Sequence, residues 1–268
     1  MSLRRGIFVA GILVLCAWTL VPIYFIALGA FGGPDAVNAW PKPFLPGASF
    51  GFTTLREFLN IEGVWISTLY SVEAAVLCMV FSVLLGVPAG YALARFSFHG
   101  ATAYRLLILL TRAFPVAILA LPLTVGFIRL GLYDSPLGVS LMHTALALPF
   151  AVLVSASLFQ AIPREFEEAA WVFGCSPAKA FLRVILPLAL PGIAATSIFA
   201  FVISWNEVFA ASVLTVRHKT LTAYLLSVLS ESPLHVQFAG GFVLIVPSVL
   251  FIFLVRRHLF SMWGIANR

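Results

Sequence analysis

Two kinds of residue in this sequence could do chemistry. The first is a nucleophile: Gly47-Ala48-Ser49-Phe50-Gly51 fits the GxSxG pattern that presents a serine hydroxyl on a strand-to-helix turn. It lies in a stretch rich in proline and glycine, with no strand before it and no helix after it, so the match is fortuitous. No HExxH occurs, and the histidines at 99, 143, 218, 235 and 258 are scattered. Cys16, Cys78 and Cys175 form neither a CxxC nor a metal-ligand spacing and read as small buried hydrophobes. An intramembrane hydrolase is therefore left without a nucleophile and base. The second kind is charge set in apolar sequence: Glu73, Arg112 and Glu207, with His143 and Asn206 as polar companions. Such groups face a cavity or a partner, because a charge in hydrocarbon costs roughly 2.5–3.5 kcal/mol on insertion scales.

The elements that must position them are membrane helices. Of the 268 residues, 62% are apolar and only 10% charged, and mean hydropathy is +1.06. A soluble domain carries about 25% charged residues, so this chain cannot coat a water-soluble globule. Six long stretches lack Asp, Glu, Lys and Arg, and the runs are unbroken rather than alternating, which excludes a transmembrane barrel. The pattern predicts one transmembrane domain over 1–268, with spans at roughly 7–31, 66–92, 106–128, 138–160, 189–213 and 237–256. The first span is too long for a cleaved signal peptide and reads as uncleaved.

Six spans put both ends on one side of the membrane. Arg4, Arg5, Arg95, Arg105, Arg164, Lys179, Arg183, Arg256, Arg257 and Arg268 fall on the side of the termini, against Lys42, Arg56, Arg129, Arg217 and Lys219 opposite. The positive-inside bias predicts cytoplasmic N- and C-termini. The net charge of +6 is spread in ones and twos, which gives no nucleic-acid footprint. Gly86, Gly90 and Ala94 form a small-residue stripe in the second span, read as a packing face or as a hinge, and Pro88 should kink the same helix.

The ionisable residues at depth leave two readings open. Glu73, Arg112 and Glu207 are interfacial anchors or local ion pairs, or else Asn206, Glu207 and Glu73 border a solute path and hydrogen-bond its hydroxyls. Glu207 lies 18 residues beyond Ala189, about 27 Å along a helix, near the outer boundary. His143 reads as a packing residue or a proton relay.

One segment outside the spans, 161–191, predicts two short helices. Pro163 suits a first turn, Glu165, Glu167 and Glu168 follow where the helix dipole favours anions, and Gly174 is a natural stop. Ser176 and Pro177 then cap and open a second helix. Phe166, Ala169, Ala170 and Phe173 share a face. A capped helical hairpin with apolar and acidic faces suits a partner's groove; the alternative is a helix lying on lipid headgroups.

Glu168-Ala169-Ala170, three residues, Gly174, nine residues, then Val184, Ile185, Leu186 and Pro187 resembles the EAA signature of bacterial ABC importer permeases, with Val184 where the signature has isoleucine. Tyr91-Ala92-Leu93-Ala94-Arg95-Phe96, Arg129-Leu130-Gly131-Leu132 and Ser204-Trp205-Asn206-Glu207 are similar to stretches of the maltose-type permeases of carbohydrate importers. The resemblance covers about 65–268. It implies an all-α integral membrane fold, a six-transmembrane-helix permease bundle with a cytoplasmic helix–turn–helix coupling loop, in the prokaryotic inner membrane. It also implies coupling to an ATPase through Glu168, Ala169, Ala170, Gly174, Leu186 and Pro187. Implied partners are a second permease subunit, two ATP-binding cassette subunits and an extracytoplasmic solute-binding protein. The chain has no GxxxxGK phosphate loop, so ATP and Mg belong to the partner subunits. The competing class is an ion-coupled secondary transporter working through Glu73, Arg112 and Glu207; the inverted repeats usual there are not apparent.

Overall fold

A computed structural model of the chain describes residues 3–47, 50–228 and 231–262. The GxSxG serine and Arg268 lie outside them. The described residues are helical throughout their regular elements, and contacts divide them into two compact units, 1–65 with 225–247 and 66–224 with 248–268.

The first unit holds α1 (Leu3–Asn38) and α2 (Thr53–Leu59). Gly33 breaks the helical path of α1 with φ of +71°, a conformation open to glycine, and Pro34 follows it. Phe31 gathers Phe50, Phe52 and Phe242 around it at ring-centre distances of 5.5, 5.4 and 5.0 Å. These contacts fasten Phe50 and Phe52, at the end of the proline- and glycine-rich stretch, to α1.

The second unit is built on α3 (Val64–Arg95), α4 (Ala101–Thr111), α5 (Val116–Arg129), α6 (Pro136–Ala161) and α9 (Leu186–Asn206), with α7 (Glu165–Val172), α8 (Pro177–Ala180), α10 (Phe209–Leu214), α11 (Leu221–Val228) and α12 (Leu234–Met262) completing the chain order. α3 and α11 begin and end across the unit boundary, as does α12. Among the described residues five helices are long and apolar enough to cross a membrane, six if the bent pair α4–α5 counts as one span.

Two expected spans differ in shape. The third, read as one helix over 106–128, is α4 and α5 bent by 91°. Phe114 precedes Pro115, whose ring disfavours helical geometry in the residue before it, and Pro115 itself is extended (ψ 133°). The fifth, read as continuous to 213, stops at Asn206: Glu207 is extended (ψ 124°) and α10 starts afresh. At its other end the fifth span is longer than expected, because α8 runs through a π-helical turn (Phe181–Ile185) straight into α9. Pro187 has no N–H to offer the carbonyl one turn earlier, and the wider turn absorbs the mismatch.

The small-residue stripe is a packing face. A Cβ on Gly86 would stand 2.7 Å from Ala151 Cβ, and one on Gly90 would stand 2.6 Å from Ser155 Cβ and 2.7 Å from Ala156 N. α3 and α6 therefore touch backbone to backbone. α3 runs unbroken through Pro88.

Candidate coupling hairpin and membrane cavity

The hairpin begins where α6 ends at Ala161. Gly174 reverses the chain with φ of +82°; its N–H donates to Trp171 O at 2.9 Å, and the next N–H, of Cys175, reaches back to Ala170 O at 2.9 Å. That pair of bonds satisfies the last carbonyls of α7. Ser176 Oγ then accepts from Lys179 N at 3.4 Å, with Pro177 at the first position of α8.

The orientation of α7 was not legible in its periodicity. Its buried residues are Glu167 and Ala170, whereas Phe166, Val172 and Phe173 project outward, Val172 and Phe173 being 85% and 88% exposed. Of the expected coupling residues, Glu168, Ala169, Gly174 and Pro187 are exposed, Leu186 is half-buried and Ala170 is buried. Glu167 is 3% exposed because Arg95 at the end of α3 meets it: Arg95 Nε donates to Glu167 Oε1 at 2.5 Å, and the Tyr91 hydroxyl donates to Oε2 at 3.0 Å. Arg95 Nη2 also donates to Ile162 O at 2.9 Å, and Arg164 Nη2 donates to Arg95 O at 2.9 Å. Sequence reasoning missed this anchor. Its one available signal was that Tyr91 and Arg95 stand four apart on one helix face.

A second feature lies inside the same unit. A cavity of about 720 Å³ is bounded by α4, α5, α6 and α9; Leu107, Ile108, Leu119, Leu123, Met142, Leu146 and Ile203 give it an apolar wall, and Tyr104, Thr111, Arg112 and Glu207 add polar groups. Glu207 does several things at once. Its carboxylate accepts from the N–H groups of Phe209, Ala210 and Ala211 at 3.0, 3.1 and 3.1 Å, capping α10. Its Oε2 is 3.1 Å from Nε2 of the fully buried His143. His143 is thus held by a local pair, and of the residues expected to border a solute path only Glu207 reaches the cavity. Asn206 donates instead to Val202 O at 2.9 Å and Ser248 Oγ at 3.2 Å, and Glu73 is exposed on α3.

The same unit thus holds a hairpin clamped to the end of an apolar helix and a cavity with a few polar groups in its wall. The family of binding-protein-dependent transport system inner membrane components matches residues 82–262. The chain belongs to that family. As such an inner membrane component it is a multi-span membrane protein, and its relatives agree. It is 33% identical to the trehalose transport system permease protein of Mycobacterium tuberculosis over 217 residues, 75% of this chain and 78% of that protein. It is 28% identical to a diacetylchitobiose uptake system permease protein of Streptomyces coelicolor over 92% of this chain and 84% of the other. The fold matches a chain of a bacterial ABC transporter involved in import of the acidic polysaccharide alginate, with a TM-score of 0.71, 21% identity and coverage of 96% and 98%.

Proposed function

We propose that this inner membrane component is the permease subunit of an ATP-binding-cassette importer for a carbohydrate. It works beside a second permease subunit, two ATPase subunits that bind ATP and Mg, and an extracytoplasmic binding protein. Both termini face the cytoplasm, so the hairpin of α7 and α8 does too. One observation carries the reading: α7 turns Phe166, Val172 and Phe173 to the outside, with Glu165 and Glu168 beside them, on a hairpin clamped to α3. Aromatic surface held outward at that extent is stable when a partner covers it, and an acidic rim suits a basic groove. Glu168, Ala169, Ala170, Gly174, Leu186 and Pro187 are assigned to this coupling element. ATP-driven closure of the ATPase pair would draw the hairpins together and switch the helix bundle between inward- and outward-facing states.

The carbohydrate reading draws on the trehalose and diacetylchitobiose permeases among the relatives. An ion-coupled route has no support: Arg112 and Glu207 border the cavity but Glu73 does not. The test is affinity purification of the tagged chain from membranes of its own organism, with radiolabelled trehalose and diacetylchitobiose uptake in cells lacking the chain. Recovery of an ATPase subunit with loss of uptake of either sugar is expected. ATP hydrolysis by the isolated chain, or recovery without any ATPase subunit, would overturn the reading.

A further inference from the structure

Tyr91 and Arg95, one turn apart at the end of α3, gather the polar attachments of the hairpin to that helix. Arg95 donates to Glu167 on α7 and to Ile162 at the end of α6, and its own carbonyl accepts from Arg164 between them. The Tyr91 ring meets Phe159 of α6 edge-on at 5.4 Å and lies 4.4 Å from Phe181 in the π-helical turn. We propose that the Tyr91–Arg95–Glu167 cluster is the joint that carries displacement of the hairpin into the membrane helices. Glu167 is on this account a positioning residue, distinct from the exposed docking face. The inference rests on the reading above that the hairpin receives the ATPase subunit.

Burial gives the joint its stiffness. The Arg95 and Glu167 side chains are 6% and 4% exposed, so α7 cannot slide away without stripping a charge of its partner in a poorly solvated site. Rotation of α7 must therefore take Arg95 with it. Arg95 ends the helix that bears Gly86 and Gly90, and the backbone contact of those glycines with Ala151 and Ser155 makes α3 and α6 respond together. Phe181 extends the connection to α9, and a π-helical turn is a place where a helix can change register without unfolding.

The test uses the assembled complex with its binding protein, in vesicles of phosphatidylethanolamine and phosphatidylglycerol, with ATP as the probe. The variants are Glu167→Gln, Arg95→Gln, Tyr91→Phe, and the exchanged pair Arg95→Glu with Glu167→Arg. Each should retain wild-type amounts of the ATPase subunit on purification. Stimulation of ATP hydrolysis by the binding protein should fall about tenfold in the two glutamine variants, well inside the range of coupling between distant sites. Tyr91→Phe should lower it less, and the exchanged pair should recover part of it. A purely structural bond would leave the ratio of stimulated to basal hydrolysis unchanged. Wild-type stimulation in Glu167→Gln overturns the proposal, as does its loss of the ATPase subunit, which would put Glu167 in the docking face. Should the glutamine variants fail to reach the membrane, Tyr91→Phe decides, since it removes one hydroxyl; an unchanged ratio there overturns the joint. If the wild-type chain recovers no ATPase subunit, the importer reading fails instead.

Discussion

Nε2 of His143 on α6 lies 3.1 Å from Oε2 of Glu207, and Nδ1 of the same ring shares a 2.8 Å hydrogen bond with Ser204 Oγ at the end of α9. The imidazole thus spans the break at which α9 stops and α10 begins. The same carboxylate caps α10, so a single side chain closes one helix onto another and starts a third.

Glu207→Ala should therefore act on stability before it acts on transport. It removes a helix cap, about 0.5–2 kcal/mol, and leaves Nε2 of buried His143 unpaired, with only its Nδ1 bond to Ser204 remaining. Glu207→Gln keeps an acceptor oxygen and should cost less. Asn206→Ala loses only the Ser248 and Val202 contacts and should stay within about 1 kcal/mol. Thermal unfolding of the detergent-solubilised chain ranks the three; equal losses would disprove the structural role of the Glu207 carboxylate.

Gly174→Val should leave the membrane helices intact and uncouple the hairpin. A side chain there meets nothing within 4 Å, but φ of +82° costs a branched residue about 1–2 kcal/mol. Normal membrane levels with reduced recovery of the ATPase subunit are expected. Wild-type uptake would remove the hairpin from the coupling path.

Gly90 and Gly126 make a matched pair. Gly90→Ala places a methyl group 2.7 Å from Ala156 N and 2.8 Å from Val152 O, backbone atoms that cannot step aside. It should destabilise by about 1–3 kcal/mol, as overpacking does. Gly126→Ala in α5 meets open space, so the better helix propensity should make it neutral or stabilising by up to about 1 kcal/mol. Similar effects of the two would contradict the close contact of α3 and α6.

Asp134 supplies a pH-dependent fastening. Burial pushes its carboxyl up, but the N–H groups of His218, Val216 and Arg217, with the His218 side chain, outweigh that and hold it below its ordinary value. The amides lie 3.0, 2.7 and 2.9 Å from Oδ1. A carboxyl that is more acidic folded than unfolded stabilises fully above its unfolded value, and that stabilisation is lost as pH falls through the folded value. Stability should thus decline on acidification below the usual carboxylate range, and Asp134→Asn should flatten that limb while costing about 1–3 kcal/mol at neutral pH. Melting curves across pH for both proteins check it; parallel curves would refute it.

Composition determined that this is a membrane protein, since too few polar side chains exist to cover a soluble one, and the unbroken apolar runs determined that it is helical. Local spacing was enough for the hairpin too: a glycine stop, a Ser-Pro start and an acidic first turn are short-range signals, and Gly174 and Ser176 adopt the expected roles. What tertiary structure decided is which way those elements face. Phe166, Ala169, Ala170 and Phe173 share a helix face in the sequence, yet α7 buries Glu167, because a cation from 72 residues away waits for it. Charge pairing across such a separation leaves no mark in local periodicity. The break after Asn206 is similar: no glycine or proline announces it, and Glu207 leaves helical geometry because His143 and three free amides of α10 offer its carboxylate more than a continued helix would. The third span was read as one helix over 106–128 in spite of Pro115, and the structure bends it there by 91°.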